Sequence, residues 1–357
     1  PHRPDGQRRS LPVHGNQKEP GLARPATPGR RGVLTVWMDV FGVERGVLRQ
    51  RECPHQHEAV AAGEDRELPR SGKHDGGVRR SVAAPRTKCV RNPSLIGGDR
   101  RISVQAATPD TASGRVDYAL VQVDANNTAA AAQCAQRLVG DDGCAITLQN
   151  GIGNVETLSD CLGKDRVLGG ISYNSVTNTN PGHATHTNAG HTLIGELDGT
   201  RTDRVQLLCE ALEGAGFETV ISDNIIGVIW NKWIHNSAIN PISAVTGLLA
   251  GEIAGNPAAD ELQDHLLSEI LEVVRAKGIV LTDENPAVEI KETSATVMIK
   301  PSMLQHMESG RQTEIDSQNG AVVREGQALG IPTPWNHAIT LLVKARSACP
   351  DRVKKSD

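Results

Sequence analysis

The chain has 357 residues, 22% of them charged, with 38 Lys+Arg against 42 Asp+Glu and a formal net charge of −4; that length supports two domains, each with its own core. No stretch approaches the ~18 apolar residues of a membrane span, and the polar start PHRPDGQRRS lacks the apolar stretch of a secretory signal, so neither is expected. Seven cysteines, an odd number without CxxC spacing, read as reduced thiols of a cytoplasmic protein rather than a disulfide framework.

Residues 1–100 hold 19 basic and 11 acidic side chains, a surplus of +8, which leaves 19 basic and 31 acidic, −12, for the rest. A basic arm can mean nucleic acid. These charges are interspersed with Pro and Gly, with no aromatic residues between them, so no nucleic-acid partner is expected. The segment has one Ile (Ile96), one Phe (Phe41), one Trp (Trp37) and no Tyr. Its only apolar run of any length is Gly32–Val43. Elsewhere Pro, Gly and Arg interrupt each candidate element, as in disordered or out-of-frame sequence.

From about Arg101 the texture changes. Asp117–Asp124 (DYALVQVD) is a short strand, Thr128–Gly140 a helix closed by glycine, and Gly143–Gly151 (GCAITLQNG) a strand running into an Asn-Gly turn. VETLSDCLG is a short helix and Arg166–Ser175 a strand. HTLIGEL is a further strand, Arg204–Gly216 a helix and Phe217–Asp223 a strand. Strands alternating with helices predict a parallel α/β sheet. After Asp223 the strands stop. Asn224–Asn240, Pro257–Gly278, roughly Asp283–Val297 and Met303–Gly330 carry helical periodicity, with starts at Ser222/Asp223 and Asn256-Pro257 and ends at Gly278 and Gly330. The expected organisation is an atypical segment 1–100, a Rossmann-like α/β part 101–223, an all-helical domain 224–347 and a polar tail 348–357.

The stretch IWNKWIHNSAINP (Ile229–Pro241) raises the functional question. Lys232, Asn236 and Asn240 recur every fourth residue and share an arc of about 80° on a helix. Ile225, Ile226, Ile229, Trp233, Ile234, Ala238 and Ile239 make the rest of its surface apolar. A solvated stripe is normally Glu, Lys and Arg; two asparagines are poor helix formers there. Pro241 is expected to push Asn240 out of helical geometry. One reading is a modestly polar exposed face. The other is a cleft wall on which a cation and two amides meet a polar ligand. Asn150, after the strand AITLQ, would point into the crevice at the carboxyl ends of the strands, or simply make an Asn-Gly turn. In PSMLQHMESGRQTEIDSQNG (Pro301–Gly320), Ser302 and Glu314 lie about 18 Å apart on a straight helix. They share a site only if it is elongated or the helix begins after Ser302.

WNKWIHNSAINPISAV, LQNGIGNVETL and KPSMLQHMESGRQTEIDSQNG together resemble the ketopantoate reductase (2-dehydropantoate 2-reductase) family, over about 101–348. The resemblance implies a Rossmann domain, a C-terminal helical domain, and reduction of 2-dehydropantoate to pantoate with NADPH on the route to coenzyme A. It implies Lys232 as the general acid, Asn236 and Asn240 as substrate ligands, and Ser302 at the substrate carboxylate. Glu314 would contact cofactor and support the site, and Asn150 would stand at the cofactor–substrate junction. A small 2-oxo acid substrate and a homodimer are the partners it implies.

Two departures stand out. The family's strand before the helix of small residues ends in a lysine near cofactor and substrate, and here Asp124 stands there. That reversal amounts to several kcal/mol at ~4–6 Å in an effective dielectric of ~20. Residues 1–115 also contain no G-x-G-x-x-G for a pyrophosphate. KHDGGVRRS and LIGGDRR have glycine pairs without the spacing. A misreading of the gene over residues 1 to about 100, such as a shifted frame, would account for both this gap and the change in composition. A paralogue acting on another 2-oxo acid and an inactive remnant therefore stay open. His183, His186 and His191, and Cys53, His55 and His57, have metal-like spacings. The first set lies where a β-hairpin is expected and alternates faces, so no metal is expected. Trp230 and Trp233 are read as core or domain-interface residues.

Overall fold

The structure is a computed structural model describing residues 33–37, 46–49, 86–94, 98–180 and 183–349. Its strands are β1 (Val33–Trp37), β2 (Gly46–Arg49), β3 (Arg86–Ser94), β4 (Gly98–Ala107), β5 (Val116–Val121), β6 (Val139–Thr147), β7 (Val167–Ser172), β8 (Ser175–Asn180), β9 (His183–Asn188), β10 (Thr192–Glu196) and β11 (Thr219–Ile221). Among the described residues they form one sheet in the order β11-β10-β7-β6-β5-β1-β2-β4-β3-β9-β8. Its centre, β1-β5-β6-β7, is parallel as expected. The sheet as a whole is mixed, because β10 returns antiparallel to β7 and the β1-β2-β4-β3 run is antiparallel. β7 leads to β10 through the β8–β9 hairpin, a return that reverses direction, whereas parallel neighbours need a helical crossover. The sequence assigned no element to residues 1–100. The structure takes β1, β2, β3 and the start of β4 from them, with β1 in register beside β5.

Helices α1 (Thr128–Leu138) and α2 (Asn154–Leu162) cover one face of the sheet, where Ala131, Ala135 and Leu158 pack with Ala119, Val121 and Ala145. α3 (Asp203–Gly214) covers the other with Val205 and Leu208 on Ile146, Leu168 and Ile194. α4 (Ile225–Thr246) follows, capped by Asn224, whose side chain accepts from the Gly227 N–H at 3.0 Å. The cap is one residue past the expected Ser222/Asp223. The first turns of α4 lie on the sheet: a Cβ at Gly169 of β7 would stand 3.1 Å from Ile229 Cδ1 and 3.3 Å from Ile225, so a larger residue there would need those side chains to give way by a few tenths of an ångström.

Helices α5 (Pro257–Ala276), α6 (Pro286–Ala295), α7 (Ser302–Glu308), α8 (Asn319–Leu329) and α9 (Pro334–Ser347) complete the helical part. The sequence reading did not find α9, and it took Met303–Gly330 as one helix. The structure breaks that helix at Ser309–Gln318, where Gly310 adopts φ 68°. No helix among the described residues is long and apolar enough to cross a membrane.

Two cores meet along α4. Ile225, Val228 and Ile229 belong to the sheet's core; Trp230, Trp233, Ile234, Ile239 and Ile242 belong to the helical one. The indoles of Trp230 and Trp233 meet edge to face, ring centroids 5.1 Å apart. Lys232 sits where α4 changes from one core to the other.

α4 also corrects the expectation for Pro241. The helix runs through it unbroken, and Asn240 stays helical and buried. Pro241 lacks the N–H that would reach the Ser237 carbonyl. Asn319 Nδ2 of α8 donates to that carbonyl instead, at 2.9 Å.

Candidate active site

The parallel strands β5, β6 and β7 end at Val121, Thr147 and Ser172, and three of the predicted residues, Glu314, Asn150 and Lys232, make contacts beyond those carboxyl ends. After β5 come Asp124 and Ala125, and the Ala125 N–H donates to Glu314 Oε1 at 3.4 Å. After β6 comes Asn150, whose carbonyl accepts from Asn154 Nδ2 at 3.0 Å. Buried polar contacts tie the two loops together: Gln149 Nε2 donates to the Val123 carbonyl (2.7 Å) and to Thr128 Oγ1 (2.9 Å), and Thr128 Oγ1 donates to Asn154 Oδ1 (2.7 Å). At the end of β7, Lys232 Nζ donates to the Ser172 carbonyl and lies 4.8 Å from the centroid of the Tyr173 ring.

Lys232 and Glu314 both keep partial solvent contact while protein surrounds their charged ends. Burial depresses the Lys232 ammonium to about 8, against the opposing pull of Glu314. Burial raises the Glu314 carboxyl to about 7; the Ala125 N–H opposes the shift, Asp124 adds to it, and Arg311 and Lys232 oppose it. Each group is thus held near the pH at which a proton donor or acceptor works best. On the same helix His235 is held below its usual range by burial and then by Lys232.

Asp124 does not stand alone as a reversed charge. Arg311, in the turn after α7, brings Nη2 to 3.6 Å from Asp124 Oδ2. Both side chains are partly exposed, so the pair is screened and contributes modestly. His306 faces this cluster from α7, its Nδ1 buried without a partner and its pKa lowered by burial and then by Arg311.

The rest of the stripe divides. Asn236 is half-buried, and its side chain makes no hydrogen bond to a described residue. Asn240 is buried, and its Nδ2 donates to Gln318 Oε1 at 3.4 Å, which fastens α4 to the turn that carries Glu314. Trp233 Nε1 donates to the Ser317 carbonyl at 3.1 Å and fastens the same turn. Because that turn breaks the expected long helix, Glu314 need not lie a straight helix's length from Ser302, which opens α7 half-buried. Glu314 thus interacts by charge with both Lys232 and Asp124, and Asn150 stands on the neighbouring loop; among the described residues no hydrogen bond joins Ser302 to them.

The sequence reading missed Ser172, Tyr173, Arg311 and Gln318. Arg311 and Gln318 lay inside the stretch already singled out. Ser172 and Tyr173 stand at a strand's carboxyl end, the place where α/β sheets bind ligands. The histidines His186 and His191 serve the hairpin root: His186 Nε2 meets Asn174 Oδ1 at 2.9 Å, and His191 packs on Tyr173. No three His, Cys, Asp or Glu among the described residues are grouped to hold a metal ion. Cys53, His55 and His57 lie outside the described residues, as does KHDGGVRRS.

For the reacting end of a nicotinamide cofactor, the chain offers two amides without described partners: Asn150 on the loop after β6, and Asn236 one turn from Lys232 on α4. The phosphate end does not fit by sequence: MDVFGVER (38–45), which follows β1, holds one glycine and lies outside the described residues.

Fold and site together define a two-domain dehydrogenase architecture, in which a helical domain presents a lysine to the carboxyl edge of an α/β sheet. Residues 79–199 match the family described as ketopantoate reductase PanE/ApbA, and residues 224–347 match ketopantoate reductase PanE/ApbA C terminal. The chain belongs to this ketopantoate reductase family of oxidoreductases, and the match begins ahead of Arg101. A 2-dehydropantoate 2-reductase of Pyrococcus horikoshii is 33% identical over 68% of this chain and 79% of its own length. That of Archaeoglobus fulgidus is 32% identical over 64% and 76%. The crystal structure of a family ketopantoate reductase from Ralstonia eutropha superposes with a TM-score of 0.67 at 29% identity, covering 73% of this chain and 86% of that one. A D-mandelate dehydrogenase solved with NADH and anilino(oxo)acetate has the same TM-score of 0.67 at 21% identity, over 73% and 86%, and so shares the fold.

Proposed function

We propose that the protein reduces a 2-oxo acid, 2-dehydropantoate in the first instance, to the 2-hydroxy acid with NADPH. The observation that carries this reading is the Lys232 ammonium, surrounded by protein and tuned to about 8, at the carboxyl end of β7 and in the field of Glu314. A bound nicotinamide supplies the hydride. As the substrate's C2 becomes tetrahedral, negative charge grows on its ketone oxygen. Lys232 stabilises that charge and then transfers a proton to it, ending as the neutral amine. Asn236 and Asn150 are the free amides for the substrate's polar groups; Asn240 holds the wall through Gln318. Ser302 is proposed at the substrate carboxylate. Glu314 favours the charged lysine, and Arg311 offsets the repulsion an anionic substrate would meet at Asp124. The working assembly is proposed to be a homodimer in the cytoplasm, tested by sedimentation.

Lys232→Ala is expected to cut turnover by about 100- to 10,000-fold, measured as 2-dehydropantoate-dependent NADPH oxidation. A loss below tenfold would remove Lys232 from the acid role. One observation favours a second reading, an inactive remnant: the segment after β1 lacks the glycine spacing of a phosphate loop. Fluorescence titration separates the two. NADPH binding at micromolar or tighter favours the enzyme, and none at millimolar NADPH favours the remnant.

A further inference from the structure

A lysine ammonium carries three N–H donors. Here one goes to the Ser172 carbonyl, and the Tyr173 ring covers another side at 4.8 Å, within cation–π range. We propose that Tyr173 is a positioning residue for Lys232: ring and carbonyl form a two-sided cradle that leaves one N–H direction for an oxygen of the bound substrate. The proposal rests on the catalytic reading above for what that third N–H meets, but not for the cradle itself.

The cradle is rigidly built. Tyr173 N–H donates to the His191 carbonyl at 2.9 Å, and Asn188 Nδ2 donates to the Tyr173 carbonyl at 3.2 Å. Asn174 donates to Ser172 Oγ at 3.0 Å and accepts from the Gly190 N–H at 3.3 Å. A Cβ at Gly190 would stand 2.5 Å from the Tyr173 oxygen, so the two strands of the hairpin root close here only on glycine. His191 backs the tyrosine ring at 4.7 Å between centroids. Tyr173 is 40% exposed, so one flank stays open to solvent. The titratable groups acting on the pair are Glu314 from the turn after α7, His235 on α4, and Asp283, which adds to burial in raising the Tyr173 phenol. The phenol therefore stays neutral, and the ring presents an electron-rich face to the ammonium.

The test uses the full chain labelled with ¹³C-lysine, its amines unmodified, and the Lys232 Cε resonance assigned by its loss in Lys232→Arg. Tyr173→Leu removes the ring's quadrupole but keeps the apolar cover. It is expected to lower the Lys232 titration midpoint by about half a pH unit or more. Tyr173→Phe keeps the ring and should leave the midpoint in place. The alkaline limb of kcat for reduction should move with the midpoint, and kcat should fall more than KM rises. Tyr173→Met serves in the same role should the leucine variant not fold. A midpoint unchanged in both the Leu and Met variants would overturn the proposal. The titration is read without substrate, so the two ideas fail separately. A moved midpoint with turnover indifferent to Lys232→Ala keeps the cradle and sinks the catalytic role. An unmoved one with Lys232-dependent turnover does the reverse.

Discussion

Replacing Asn319 with alanine should expose how the fold tolerates a proline in the middle of its site-bearing helix. Asn319 is fully buried, and its Nδ2 donates twice, to the Ser237 carbonyl and to Asn336 Oδ1, each at 2.9 Å. Asn336 in turn donates to Glu269 Oε2 at 2.7 Å, so the amide links α4, α8, α9 and α5. The alanine variant strands two buried acceptors, at ~1–3 kcal/mol each, or about 2–6 kcal/mol in all. Asn319 Oδ1 is itself buried without a partner among the described residues, so deleting it returns about 1 kcal/mol or more. The net expectation is a loss of about 1–5 kcal/mol. Pro241→Ala restores an N–H for the Ser237 carbonyl. In that background Asn319→Ala strands only Asn336, and its effect should shrink by about 1–2 kcal/mol. Guanidinium unfolding followed by tryptophan fluorescence reads this well, because Trp230, Trp233 and Trp335 all lie in the helical part. A loss under about 0.5 kcal/mol for Asn319→Ala, or an equal loss with and without Pro241, would refute the argument.

Glu314→Gln removes the group that holds the Lys232 ammonium up against burial, so the alkaline limb of kcat, expected near pH 8 in the parent, should move lower; an unmoved limb would mean the two groups do not couple. The same variant tests stability against pH. A carboxyl raised from 4.5 to about 7 binds its proton more tightly in the folded state, so its contribution is full below pH ~4.5 and is lost as pH rises through 7. Glu314→Gln should flatten that decline in chemical denaturation across the window. Asp124→Asn removes a negative charge facing the proposed anionic substrate, so KM is expected to fall by about threefold to tenfold at low salt, with the gain shrinking at high salt because the group is partly exposed. A KM that does not change with this substitution would place Asp124 away from the substrate path.

Local physics made much of this protein legible without coordinates. The alternation of strands and helices to Asp223, the helices after it, and the Lys232–Asn236–Asn240 stripe all follow from short-range periodicity, because a helix or strand repeats its buried face every few residues. Asn256 capping α5 with Pro257 behind it is equally local. The failures were also local rules, overruled from a distance. Pro241 was expected to end the helical geometry of Asn240, but a side chain from α8 takes the carbonyl it orphans. Met303–Gly330 kept a helical pattern, but Trp233 and Asn240 hold its middle as a turn. The direction of β10 against β7 was invisible, since a strand's pattern does not record which way its neighbour runs.

The chain alone determined which elements form and which polar residues share a helix face. Only the tertiary structure decided what those residues meet. It set Tyr173 and the Ser172 carbonyl against Lys232, the carbonyl from 60 residues away in sequence, and brought Glu314 to Ala125 across 189. The physical reason is one of range: a residue's own neighbours fix its backbone and its burial, whereas the field that tunes a charge comes from whatever the fold packs within a few ångströms of it.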